Sequence, residues 1–183
     1  MQWVQIREWL LPGGLARDDG FHQEVLSASF RGIRVIAGVE TVVALVAFAG
    51  YLPRGAALGI LLLAAATFGT ANLGAAYPHT RLLAVISACA ASVIAVRAMH
   101  AGAAMDYALG SVTCVMLAAV AAVPLLPVQS LCMGAVAMAA GFDSGHEFFF
   151  VMLALAATAV SATLMTQRSR YYRLYVDTLR TSA

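Results

Sequence analysis

The sequence predicts an all-α, polytopic membrane protein: a six-transmembrane-helix bundle preceded by an N-terminal interfacial amphipathic helix. Three observations lead there. Of 183 residues, 62% are apolar and 11% charged, with a mean hydropathy of +0.84, whereas globular domains carry roughly a quarter charged residues. The apolar residues fall into runs close to the about 20 needed to cross a hydrocarbon core of about 30 Å. Short breaks rich in Pro, Gly and Asp separate these runs.

Residues 1–14 form the first unit. Trp3, Val4, Ile6, Trp9 and Leu10 share one helical face opposite Gln2, Gln5 and Glu8, a pattern that lies in the headgroup plane with Trp at the interface. Arg7 and Glu8 interrupt its apolar residues, which is not the layout of a signal peptide. Leu11-Pro12-Gly13-Gly14 breaks this helix.

Residues 15–167 hold the six spans. The first starts as a cytoplasmic helix near Phe21, enters the bilayer near Ile33 and turns at Pro53-Arg54-Gly55. The others are expected over 56–76, 81–100, 106–124, 128–142 and 147–167, joined by Tyr77 to Thr80, Ala101-Gly102, Pro124 to Pro127, and Asp143 to Gly145. Such short connections make neighbours antiparallel. Small residues at Gly55, Gly59, Gly69 to Ala71, and Gly134 to Gly141 allow close helix approach.

Orientation follows from the arginines, since all eleven basic residues are Arg. With the N-terminus inside, Arg7, Arg17, Arg31, Arg34, Arg81, Arg168, Arg170, Arg173 and Arg180 are cytoplasmic, and Arg54 and Arg97 face the other side. This positive-inside bias gives a multi-pass protein with both termini cytoplasmic. The formal charge of +2 leaves no basic face for nucleic acid. Cys89, Cys114 and Cys132 sit inside apolar runs and read as reduced packing residues.

Residues 168–183 continue the sixth span without Gly or Pro, and put Tyr172, Tyr175, Val176 and Leu179 at helical spacing. A helix leaving a membrane with a narrow apolar seam wants a partner. The expectation is a homodimer whose sixth helices pair and lead to a downstream output domain. The competing reading is a tail packed on its own bundle.

The four histidines, His22, His79, His100 and His146, all fall at membrane boundaries in this topology, two at each face. A six-coordinate haem iron takes imidazoles from opposite sides of the ring, so His22 with His79 and His100 with His146 are candidate ligand pairs for two b-type haems. Arg31, Arg34 and Arg81 are available for the inner propionates, and Arg54 and Arg97 for the outer ones. His79 and His100, 21 residues apart, are separated by a rise of about 31 Å, so both sites would be shallow. Each histidine alone also reads as an interfacial residue with a solvated ring.

With its cytoplasmic N-terminal helix, its histidines and a sixth span running through Gln167-Arg168-Ser169-Arg170-Tyr171-Tyr172 into an exit helix, the chain resembles the membrane anchor of bacterial class III adenylate cyclases, diheme-b subgroup. The resemblance covers the whole chain but rests on layout rather than a long motif. It implies a non-catalytic sensor that binds two haem b groups and biases a dimeric cytosolic cyclase. Rivals are a cofactor-free receptor anchor for a lipophilic ligand and a small transmembrane electron carrier.

Other polar residues have local readings. Glu40, about two turns inside the first span, needs a partner or a proton, and Asn72 and Thr70 are candidates; its role is either a structural hydrogen bond or proton coupling and signal transfer. Ser144 to Glu147 fits a capping box. Met99, His100, Met105 and Cys132 raise copper as a rival metal. Phe148 to Phe150, and the methionines of the fourth and fifth spans, read as lipid-facing or packing residues.

Overall fold

A computed structural model describes residues 19–73, 79–142 and 144–181, and all regular structure among them is helical. The expected interfacial helix at 1–14 lies outside the described residues. In chain order the helices are α1 (Asp19–Val46), α2 (Arg54–Ala71), α3 (Thr80–His100), α4 (Met105–Ala122), α5 (Pro127–Ala140) and α6 (Glu147–Thr181). A π-helical segment, Ala47–Tyr51, closes α1, and Gly50 within it takes φ 105°, a left-handed conformation open chiefly to glycine.

Five helices, all but α5, are long and apolar enough to cross a membrane, so this is a multi-pass helical membrane protein. The helix boundaries fall within a few residues of those expected, except that α2 ends at Ala71 rather than near residue 76. The 14 residues of α5 rise only about 21 Å, short of the about 30 Å hydrocarbon core.

Helix α1 packs against α2, α3 and α4, while α5 and α6 form a close pair that docks on α3 and α4. Two contacts mark the end of the bundle where α1 enters, here termed proximal. Arg34 Nη2 donates to Asn72 Oδ1 at 2.8 Å, and Arg81 Nη2 to Gln129 Oε1 at 3.3 Å. At the distal end the Ala104 amide donates to the Tyr51 carbonyl at 3.1 Å, and Tyr51 stacks on Tyr107 at 5.1 Å between ring centroids. The Tyr107 hydroxyl donates to the Val43 carbonyl.

The connection between α4 and α5 is buried: Val123, Pro124, Leu125 and Pro127 are all inside. Irregular backbone at this depth survives only if its polar groups are met within the protein. Pro124 and Pro127 carry no N–H to satisfy. Ser161 Oγ on α6 donates to the Leu125 carbonyl at 2.7 Å, the Leu126 amide donates to Gln129 Oε1 at 2.8 Å, and the Leu125 amide to the Val123 carbonyl at 2.7 Å. Gly32 of α1 makes room for this segment, because a Cβ there would come within 2.6 Å of the Ala122 carbonyl carbon and 2.8 Å of Val123 Cγ2.

Two helices outlast the bundle at its proximal end. The 28 residues of α1 rise about 42 Å and the 35 of α6 about 52 Å, more than a bilayer requires. Their extensions meet: Phe21, Val25 and Met165 form a small separate core with Leu126 and Tyr172 packed against it, and Phe21 meets Tyr172 edge-to-face at 5.3 Å. Tyr172 of the expected dimer seam is therefore engaged within the chain, while Tyr171, Leu174 and Tyr175 stay exposed. Val176 is half-buried, and the side chain of Leu179 lies outside the described set. Phe21→Ala should remove an aromatic contact worth about 0.5–1.5 kcal/mol beyond its buried area. The expected result is faster tryptic cleavage at Arg168 and Arg173 with an unchanged melting temperature of the bundle.

Candidate functional site

Each histidine stands at a helix end. His22 lies in the first turn of α1 and His79 caps the start of α3, both at the proximal end. His100 closes α3 and His146 immediately precedes α6, both at the distal end. The first three rings are exposed and His146 is half-buried. Two histidines thus stand at each end of the bundle.

Helix register decides which pairs can share a ligand. The bond from Ser87 Oγ to Glu40 Oε1, 2.7 Å, fixes α1 against α3, which run in the same direction. His79, eight residues before Ser87, therefore lies level with Gly32. His22 is ten residues earlier on α1, about 15 Å further out. Two imidazoles and an iron do not bridge that offset, so His22 and His79 as placed do not fit one haem.

At the distal end, Arg81 beside Gln129 and Gly134 against Ala154 carry the register from α3 through α5 to α6. His100 then lies about 9 Å further from the bundle centre than His146, an offset that a slanted pair of imidazoles can span. Helices α3 and α6 meet α4 and α5 rather than building an extensive interface with one another. Of the two histidine pairs, the distal one has the smaller offset along the bundle.

The arginines divide in the same way. Arg54 and Arg97 are exposed near the distal end, with Arg97 one turn before His100. At the proximal end Arg31 is exposed, Arg34 is committed to Asn72 and stacks 4.5 Å over the Phe30 ring, and Arg81 is half-buried on Gln129 with its Nε lacking a partner among the described residues.

The capping box takes a different form from the one expected. The His146 amide donates to Ser144 Oγ and the Gly145 amide to Glu147 Oε1, each at 3.3 Å, so the reciprocal bonds of a capping box are each displaced by one residue. The ring of His146 is carried by this turn. Among the described residues no group of three His, Cys, Asp or Glu side chains converges on a metal position, and Cys132, the thiol considered for copper, is exposed on the outside of α5. Cys114 is exposed as well, and only Cys89 packs partly inward. Phe148 faces outward and Phe150 is buried.

Sequence reasoning singled out Glu40 but not its partners. Glu40 is fully enclosed, and neither Asn72 nor Thr70 is its partner: Asn72 accepts from Arg34 and donates to the Phe68 carbonyl, while Thr70 donates to carbonyls of its own helix. Instead Ser87 donates to Glu40 Oε1, and Thr67 Oγ1 lies 2.7 Å from Ser87 Oγ. Because the single Ser87 proton is used on Glu40, Thr67 is the donor in the second bond. The signal was available in the expected register, since residues 40 and 87 sit seven and six positions beyond Ile33 and Arg81, where the two parallel spans were expected to enter the bilayer.

Comparison with known family models, with characterised proteins and with solved structures finds no match at the level that would indicate kinship.

Proposed function

We propose that this chain is the membrane anchor and sensor of a signalling protein, in which a six-span bundle passes its state through α6 to a cytosolic output domain. A single observation carries this reading: α6 runs without interruption from Glu147 to Thr181, so movement at its first turn is delivered directly to its cytosolic end. The sixth crossing is supplied by α5 together with the buried segment before it. Val123 to Leu126, turned at Pro124 by the bond from the Leu125 amide to the Val123 carbonyl, lengthen the about 21 Å of α5. Six crossings put both extended helices on the Arg-rich side, which the positive-inside rule makes cytoplasmic.

The output domain suggested by the resemblance is a class III adenylate cyclase, whose dimeric site asks for paired sixth helices. Tyr171, Leu174 and Tyr175 are the exposed residues available for that pairing. As cofactor we propose haem b, held at the distal end by His100 and His146 with Arg54 and Arg97 toward the propionates. When bound, such a group supplies redox or ligand-binding chemistry; the chain contributes imidazoles on two helices and a rigid α6. The register of His22 and His79 argues for one haem per chain rather than two.

The test is a pyridine-haemochrome assay on protein expressed with ample haem and purified in detergent. One haem b per chain is the expected result. Two would restore the proximal pair and imply that α1 slides relative to α3, and a colourless protein would leave the cofactor-free receptor anchor as the reading.

A further inference from the structure

We propose that Glu40 is a proton-binding site: one solvent-derived proton adds to Oε2 and leaves from it, and the packing of α1 on α2 and α3 responds. This does not rest on the haem or cyclase reading. The Glu40 side chain is 0% exposed, and Oε2 has no hydrogen-bond partner among the described residues. A single carboxylate in such surroundings, without a counter-charge, is among the costliest arrangements an apolar interior can hold, so a cation must neutralise it.

Among the described residues, the side chains around it supply no such cation. From α2 the facing polar group is Thr67 and from α3 it is Ser87, both hydroxyls. The charged and titratable groups of the packed helices are committed or remote: Arg34 is on Asn72, Arg81 on Gln129, and the Tyr107 hydroxyl of α4 on the Val43 carbonyl. Cys89 lies half-buried two residues beyond Ser87, and Cys114 of α4 is exposed. Arg31 is exposed two turns down α1, and Arg54, Arg97 and Asp106 are exposed near the distal end.

A metal ion is a poor fit. The cluster offers four oxygens, Glu40 Oε1 and Oε2, Ser87 Oγ and Thr67 Oγ1, below the about six that hard divalent cations take. The Ser87 hydroxyl proton also points at the carboxylate. Residues about one turn away, Ile36 and Ala44 on α1, Ala64 and Ala71 on α2, and Ala84 and Ala91 on α3, are each at most 1% exposed, so the site is closed around a volume that a proton fills without displacement. On protonation Ser87 keeps its bond to Oε1 and no other atom need move. On deprotonation the unpaired charge favours separation of the three helices or entry of water.

The experiment is infrared difference spectroscopy of the full chain in lipid vesicles, between about pH 5 and about pH 9, beside a thermal melt at each pH. The wild type should show a carbonyl band of a buried protonated carboxylic acid that is lost at alkaline pH, and a melting temperature that falls by several degrees over the same range. Glu40→Gln should lack the band and lose most of the fall in melting temperature, while Ser87→Ala should keep the band with a shifted frequency because one hydrogen bond to the carboxyl is gone. A band that persists in Glu40→Gln, or one identical in wild type and Ser87→Ala, would overturn the assignment. So would a melt that responds to sodium or calcium at fixed pH and not to pH, which would make the bound cation a metal.

Discussion

Gly134→Leu is expected to abolish the folded, monodisperse protein, with loss of the α5–α6 interface as its cause. A Cβ at position 134 would overlap the Ala154 Cβ and lie 2.7 Å from the Ala154 Cα, so a side chain meets backbone and cannot be accommodated by rotating a rotamer. Overpacking by a few methylenes already costs about 1–3 kcal/mol in a core able to relax. Here α5 must leave α6, and α5 is also the helix that seats the buried segment at Val123 to Pro127. The control is Gly69→Ala, where nothing stands within 4 Å of the added methyl. That change should instead raise stability by about 0.5–1 kcal/mol, the usual gain of alanine over glycine in a helix interior. Size-exclusion profiles and thermal melts in detergent read both outcomes. A well-folded Gly134→Leu protein would mean that α5 and α6 do not pack as described.

This contrast also shows how far the sequence could be read. The glycines at 55, 59, 69, 134 and 141 looked alike as small residues that let helices approach, yet Gly55 and Gly69 face open space and Gly59 makes only ordinary contact. Gly134 and Gly141 are close to α6, with the Phe150 ring over Gly141. Composition marks a residue as small but does not say which face of its helix meets a neighbour. The helix boundaries were legible because Pro, Gly and polar residues punctuate apolar runs, and the continuity of α6 was legible because nothing breaks it. The buried connection at Val123 to Pro127 was not. Prolines at a span boundary indicate a turn equally well at the surface and inside, and only the carbonyl bond from Ser161, 36 positions away, distinguishes the two. The histidines were found by type and depth, but pairing by face ignored how far α1 extends beyond α3.

If haem is held as proposed, removing the His100 or the His146 imidazole should abolish the reduced α band, whereas His22→Ala and His79→Ala should leave it intact. The asymmetry follows from register: the distal histidines lie on α3 and at the start of α6 with an offset of about 9 Å, and the proximal ones are separated along the bundle by about 15 Å. In the proposed site His100 and His146 would each hold the haem, so the sharp reduced α band should be lost with either change. Arg97→Ala, one turn from His100, touches the group only at its periphery and should weaken haem retention by about tenfold, the lower range for supporting residues around a metal. Absorption spectra of the four alanine variants after dithionite reduction, with haem titrated into apoprotein for Arg97→Ala, measure all of this. Bleaching by His22→Ala or His79→Ala with His100→Ala unaffected would move the site to the proximal end. It would also require α1 to shift by more than two helical turns against the anchor that Ser87 and Glu40 provide. Equal spectra in all four variants would leave the histidines as interfacial residues and α6 as a transmitter of some other signal.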